Sequence, residues 1–351
     1  MTRRTFLQTA LATTATVGAG SASGAAAELP ASGRRVPIGF LGATYSHGPD
    51  KIRLTRSSPD WDLVGVCDES AAGRAVCEQL GVPRISREEL FRRAEVVAVE
   101  SDIRDHEAHG LLALQAGRHV HLEKPPAATM AGMRALVTAA REQGKLLQTG
   151  FMWRFNPGFR AVFEAVRNGW LGEVVLVRAF MGNHLAPDRR PEWAEFHGGS
   201  MFEQGSHLVD AVVRLLGAPR KVTPFLRHQG AFKDTLNDAN VAVLEFDKAT
   251  AVITNTALQA ASSPQRSFEV TGTLGTAVLQ PIEPPTLIMD LSRAAGPYSK
   301  GAQKVPLPSY TRYEDEFREL AAAVRGQGTL SVPLEEELLV GETVLRVCQM
   351  Q

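Results

Sequence analysis

Two stretches of this 351-residue chain hold side chains whose types and spacing could do chemistry. The first runs His119-Val120-His121-Leu122-Glu123-Lys124-Pro125-Pro126. Val120 and Leu122 alternate with polar neighbours, which predicts a short strand. The two prolines stop it, because proline lacks the N–H of the ladder and restricts the residue before it. Lys124 is thereby held at the carboxyl end of a strand, the rim at which open α/β sheets bind ligands. The second stretch, Gly198 to Asp210, places Glu203 and His207 four residues apart, on one face if the segment is helical. A carboxylate beside an imidazole raises its pKa and fixes which nitrogen carries the proton, which suits a general base for an alcohol proton. Gly198, Gly199 and Gly205 weaken a helix here. They are expected where a ligand approaches the backbone closely.

Other elements must position these groups. Arg34 to Gly42 reads as a buried-type strand running into the turn Gly42-Ala43-Thr44-Tyr45-Ser46-His47-Gly48, with a helix from roughly Gly48 to Ser57 and a second strand from Trp61 to Val66. Strand, glycine turn, helix and an acid at the end of the next strand make a dinucleotide-binding arrangement. Asp68 is that acid, placed to accept from ribose hydroxyls. With Glu69 beside it, it favours NAD over NADP, although Arg74 leaves NADP open. Against G-x-G-x-x-G, Thr44 and His47 stand where the second and third glycines belong. The helix N-terminus can still bind phosphate, helped by the hydroxyls of Thr44 and Ser46. Tyr45 and His47 either face the cofactor or fill the altered turn, and Glu123 and His106 fall near the cofactor. Arg154, Trp153, His184 and Trp193 lie near the expected domain junction and are candidates for substrate hydroxyls, or else structural. Asp210 is either a substrate contact or one half of a helix ion pair. His109, His119, His121 and His228 receive no role.

Strands alternate with helical stretches as far as Gly150, which predicts a doubly wound parallel (Rossmann) sheet over 34–150. Strands then dominate, predicting an α+β domain with a mostly antiparallel open sheet over 151–351. The proline-rich region Ile282 to Pro308 reads as surface loops, and helices are expected from Tyr313 to Arg325 and from Leu334 to Val347. Formal net charge is zero, so no nucleic-acid or anionic-membrane footprint is visible. Three cysteines without a C-x-x-C pair give neither a disulfide framework nor a zinc site, and no metal is expected. Residues 1–33 read as a targeting leader and linker. Arg3-Arg4-Thr5-Phe6-Leu7 looks like a twin-arginine signal, and Ala25-Ala26-Ala27 is a plausible cleavage site. The leader's apolar run is too short to span a bilayer, so an exported, periplasmic protein with no membrane insertion after cleavage is expected.

Taken together, the chain resembles the Gfo/Idh/MocA family of sugar and polyol oxidoreductases. The carriers are Ile38–Gly48, Cys67-Asp68, His106, Glu123-Lys124-Pro125, Arg154-Phe155-Asn156-Pro157, the Gly198–Asp210 segment and the Tyr313–Arg325 helix. The resemblance implies hydride transfer between a nicotinamide cofactor and a carbohydrate. It also implies that Lys124 and His207 are the catalytic pair, with Glu203 where an aspartate is usual. An exported enzyme meets little free NAD, so a retained cofactor is expected. Alternatives are an NAD-dependent glycoside hydrolase, working by transient oxidation, elimination and re-reduction, and a non-catalytic sugar-binding relative. The antiparallel sheet could also serve a homo-oligomer.

Overall fold

The computed structural model describes residues 33–351, so the expected leader lies outside the described residues. The first sheet is parallel, with strands β1 (Val36–Leu41), β2 (Trp61–Cys67), β3 (Val96–Val99), β4 (His119–Leu122) and β5 (Leu147–Thr149) in the order β2-β1-β3-β4-β5. Strand order reverses beside β1, so a crevice opens at the carboxyl ends of β1 and β3. Helices α1 (Gly48–Ser57), α2 (Ala71–Leu80), α3 (Arg87–Arg93), α4 (His106–Gln115) and α5 (Met130–Glu142) connect the strands. Ser70, Ser86 and Thr129 cap α2, α3 and α5 by accepting from the backbone N–H three residues on.

The second half opens with α6 (Pro157–Arg167), capped by Asn156 with proline in its first turn. There follow β6 (Val174–Gly182), α7 (Arg190–Ala194), α8 (Ser206–Leu216), β7 (Lys221–Phe225), β8 (Ala239–Glu245), β9 (Thr250–Thr256), β10 (Ser267–Gly272), β11 (Gly275–Leu279), β12 (Leu287–Leu291) and β13 (Gly301–Val305). The sheet order is β13-β12-β11-β10-β6-β9-β8-β7. Only β6 and β9 run parallel; the other neighbours are antiparallel. Burial alternates along β8, β9 and β12, the mark of a sheet with one face on the core. The expected loops over Ile282–Pro308 are corrected: β12 and β13 form there as a hairpin extending the sheet, with Leu287, Met289 and Leu291 buried.

The last two helices, α9 (Glu314–Val324) and α10 (Leu334–Val347), return to the first sheet. Phe317 of α9 packs on Trp61 and on His121, with ring centroids 5.9 and 4.7 Å apart. Arg325 bonds Asp60 Oδ1 at 2.8 Å and the carbonyls of Arg34 and Asp60. A Cβ on Gly341 of α10 would sit 2.7 Å from Met133 of α5, so glycine permits that close packing. The chain therefore crosses between the two sheets once after β5 and again before α9.

Arg154 and Asp210, read from the sequence as substrate contacts or as ion-pair members, form an ion pair. The Arg154 guanidinium donates to Asp210 Oδ1 at 2.7 and 3.0 Å, and to both oxygens of Glu337 at 2.6 and 2.9 Å. All three groups are buried. A guanidinium fork held by two carboxylates has its donors committed to them, so this triad ties the Arg154 turn to α8 and α10. Removing one member of a buried set leaves uncompensated charge, at a cost of about 3–5 kcal/mol. Arg154→Met should lower unfolding stability by that order in a urea titration; a change within error would show that the triad adds nothing.

Candidate active site

Gly42 ends β1 with φ +86°, and a Cβ there would lie 2.5 Å from the Ser101 backbone, so only glycine fits. The turn beyond it presents the N-terminus of α1. Among the described residues the backbone N–H groups of Thr44, Ser46 and His47 have no hydrogen-bond acceptor, which suits a pyrophosphate. Asp68 folds back onto the turn, accepting from Ala43 N at 2.9 Å and from Ser70 N and Oγ at 2.9 and 2.6 Å. Gly73 leaves room for it: a Cβ there would fall 2.0 Å from the carboxylate. Thr44 Oγ1 bonds Asp102 at 2.9 Å, and Ser46 is exposed. The turn's N–H groups and Asp68 are the groups that would hold a dinucleotide here. Tyr45 and His47 instead turn inward and join the turn to the end of β4.

There, Lys124 is buried with 1% of its surface exposed. Its ammonium donates to the Glu203 carbonyl at 2.9 Å and to the Glu203 carboxylate. Tyr45 Oη, 2.7 Å from Glu203 Oε1 and 3.1 Å from the Lys124 carbonyl, completes the group, and Lys124 Nζ lies 5.3 Å from the Tyr45 ring centroid. Burial, then the Glu203 charge, holds the Tyr45 phenol well above its ordinary pKa, so it stays a neutral donor.

The expected pairing of Glu203 with His207 is corrected. Met201–Gly205 winds as a π-helical turn before α8 begins at Ser206, and the Glu203 carboxylate goes to Lys124 and Tyr45. The ammonium is the stronger partner for a buried carboxylate than a neutral ring. His207 lies between the rings of Phe151 and Trp153, at 5.7 and 4.9 Å, and its buried Nδ1 has no hydrogen-bond partner among the described residues. Burial, then the Lys124 charge, pushes its pKa well below 6.5, so the ring is neutral at neutral pH. The glycines of this segment also serve the protein's own packing. Gly199 has φ +50° and abuts the Asn237 carbonyl, while a Cβ on Gly205 would strike Met201.

Beneath Lys124 lies a charged hub that the sequence did not reveal. Lys51 of α1, fully buried, bonds Glu100 Oε1 at 2.9 Å, His121 Nε2 at 2.8 Å and the Glu123 carboxylate. Glu100, His121 and Glu123 offer ligand atoms within 4.8 Å of one another, and the ammonium of Lys51 already bridges all three. His47 Nδ1 adds a contact to Glu123 at 3.0 Å. Burial alone would raise Glu123, but Lys51 and His47 outweigh it and hold the group well below the carboxylate range. Burial leaves Glu100 raised and drives His121 down to about 3. Tyr313, with φ +68° at the start of α9, places its ring centroid 5.3 Å from Lys51 Nζ and 5.5 Å from that of His47.

The remaining candidates are placed as follows. His106 is wedged between the carbonyls of Pro125 and Ser101, at 2.9 and 3.0 Å, and burial lowers its pKa. A neutral ring donates to one of them, so it braces the loop that carries Lys124. Trp153 stacks on Phe159 and covers His207. Trp193 is buried, and His184 is exposed and bridged to Leu258.

Glu316 of α9 is fully buried beside this hub, and neither carboxylate oxygen has a partner among the described residues. Burial pushes its pKa up to about 8. A carboxyl raised above its unfolded value of about 4.3 contributes stability that is complete below that value and lost as pH rises through the folded value. Glu316→Gln should therefore gain stability over the parent as pH rises from 4 to 9, by little at pH 4, roughly 2 kcal/mol near pH 6 and up to roughly 5 kcal/mol at the alkaline end. Parallel stability–pH profiles for the two proteins would refute this.

Residues 36–151 match the family model described as oxidoreductase family, NAD-binding Rossmann fold, and residues 159–278 match the Gfo/Idh/MocA C-terminal domain. The chain is 35% identical over 171 residues to D-glucoside 3-dehydrogenase of Escherichia coli (strain K12), a match covering 46% of this chain and 48% of that protein. It is 27% identical over 304 residues to 1,5-anhydro-D-fructose reductase of Ensifer adhaerens, covering 84% and 87%. Its fold is similar to that of UDP-N-acetylglucosamine 3-dehydrogenase GnnA from Acidithiobacillus ferrooxidans, with a TM-score of 0.76, 20% identity, and coverage of 90% and 97%. With its parallel nucleotide-binding sheet and its large second sheet each matched in turn, the chain belongs to the Gfo/Idh/MocA oxidoreductases, the resemblance that the Glu-Lys-Pro turn and the Glu203/His207 segment carry.

Proposed function

We propose that this protein interconverts a hydroxyl and a carbonyl on a carbohydrate, with NAD as hydride partner and Lys124 and His207 as its working groups. One observation carries the reading: an ammonium from the end of β4 is held by the turn that leads directly into the imidazole on α8. The names of the relatives point to sugar-ring substrates. The acid pair Asp68 and Glu69 favours NAD over its 2′-phosphate. A dinucleotide whose pyrophosphate is held by the Gly42 turn would supply, through its nicotinamide ring, the acceptor for the hydride of the carbinol carbon.

The side chains account for the proton and the oxygen charge. His207 enters without a proton and accepts the one released by the hydroxyl, its ring fixed by Phe151 and Trp153. Lys124 donates to the oxygen as negative charge develops there, a preorganised donor in a dry site. Glu203 and Tyr45 orient that ammonium. Glu203 also offsets its charge, so the imidazolium formed at His207 is not opposed by a bare cation.

Lys124→Ala should lower NADH formation from glucosides or polyols by about 100-fold or more. Nucleotide released on denaturing the purified variant should match that of the parent in mass and amount. Undiminished turnover in the variant would end this assignment. The outer face of the second sheet, with Leu176, Phe180, Val241, Val243, Val252 and Val278 half-exposed, suits a second copy of the chain. Light scattering should report an oligomer that Val252→Lys dissociates; a monomeric parent would remove the inference.

A further inference from the structure

Arg266, in the turn entering β10, differs from the other arginines around the site. Arg154 is held by Asp210 and Glu337, Arg190 by Asp234 and Asp238, Arg189 by Glu192, and Arg312 by Glu283. Arg266 is half-buried, yet its guanidinium makes one hydrogen bond, from Nε to the Gly182 carbonyl at 3.2 Å, and no ion pair among the described residues. The acid that most offsets its charge, Glu283, is taken by both arms of Arg312. Burial lowers the pKa of Arg266, as expected for a cation stripped of water without a counter-ion. The carbonyl it binds ends β6, where Gly182 pairs with Thr256 of β9, and the adjacent Asn255 bonds Gln204, the neighbour of Glu203, at 3.3 Å, so Arg266 lies at the strand end that meets the Glu203 turn.

Two further polar groups at the same strand end lack partners. The side-chain oxygens of Asn183 and Gln259 are buried without a donor among the described residues. Their backbones are paired, Gln259 N donating to Asn183 O at 2.9 Å. The Gln259 oxygen lies 2.1 Å from where a Cβ on Gly182 would be, so glycine makes room for that amide beside the carbonyl that anchors Arg266. Buried acceptors without donors are costly unless a ligand or water satisfies them. Here they lie beside an unpaired fork of donors.

We propose that Arg266 selects substrates carrying a carboxylate, so that this site takes a sugar acid or an acidic glycoside, with Asn183 and Gln259 accepting from its hydroxyls. With Nε committed to Gly182, the two terminal nitrogens remain for a planar oxyanion, the geometry a guanidinium recognises best. A single positive charge balances a monoanion, whereas a phosphate dianion would keep net negative charge in a half-buried site. This assignment rests on the carbohydrate oxidoreductase reading above and adds the charge of the substrate to it.

The test is isothermal titration of the nucleotide-loaded protein with methyl glucuronoside, methyl glucoside and glucose 6-phosphate, at low and high salt, with NADH formation followed in parallel. Methyl glucuronoside should bind at least about tenfold tighter than methyl glucoside, with glucose 6-phosphate weaker than the uronoside. The preference should shrink with salt. Arg266→Met should bring the uronoside-to-glucoside ratio close to one, and Arg266→Lys should retain part of it. Equal binding of the charged and neutral glycosides by the parent, or a preference that survives in Arg266→Met, overturns the role of Arg266 while Lys124-dependent oxidation leaves the enzyme assignment standing. Failure of every sugar to bind or react overturns both.

Discussion

The contact between the Lys124 ammonium and Glu203 is the interaction on which the site depends. It joins the carboxyl end of a strand in the first sheet to the turn before α8 in the second half. A buried ammonium is expensive unless paired and hydrogen-bonded. Glu203 meets both needs, through its carboxylate and its carbonyl, and Tyr45 fixes the carboxylate from the nucleotide turn. Three segments distant in sequence are thereby held in one geometry before any ligand arrives. Preorganisation of this kind separates a donor aimed at a developing charge from a flexible surface lysine.

The altered phosphate turn belongs to the same design. Within this turn Tyr45 reaches Glu203, and His47, at the third glycine position, reaches Glu123. Of the two residues at glycine positions, His47 thus braces the end of β4 and Thr44 bonds Asp102, while the N–H groups of Thr44, Ser46 and His47 have no acceptor among the described residues. The turn thus keeps its backbone donors free while its side chains tie it to Glu203 and Glu123.

Much of this was legible in the sequence because it is local. The parallel strands and their helices follow from apolar runs alternating with helical stretches, and Lys124 follows from a strand stopped by two prolines. The misreadings share a different cause. β12 alternates cleanly from Leu287 to Leu291 but is flanked by Pro281, Pro284 and Pro285, whose turn signals hid it. The pairing of Glu203 with His207 assumed a regular helix, and the π turn together with an ammonium 79 residues away redirected the acid. Lys51 and Glu316 look like solvent-facing charges on amphipathic helices. Only contacts to strands far along the chain show that both are interior.

The Lys51 hub restricts how such a site could change over generations. Its ammonium serves Glu100, His121 and Glu123 at once, and Glu123 also accepts from the Lys124 backbone. Exchanging any one member strands the charge or lone pair of the others in a dry interior, whereas the polar groups around Asn183 and Gln259 have no such shared dependants. Descendants of this protein are thus free to drift at the rim around Asn183 and Gln259, while the foundation under Lys124 can be rebuilt only by concerted replacement, which keeps the lysine end fixed as that rim diverges.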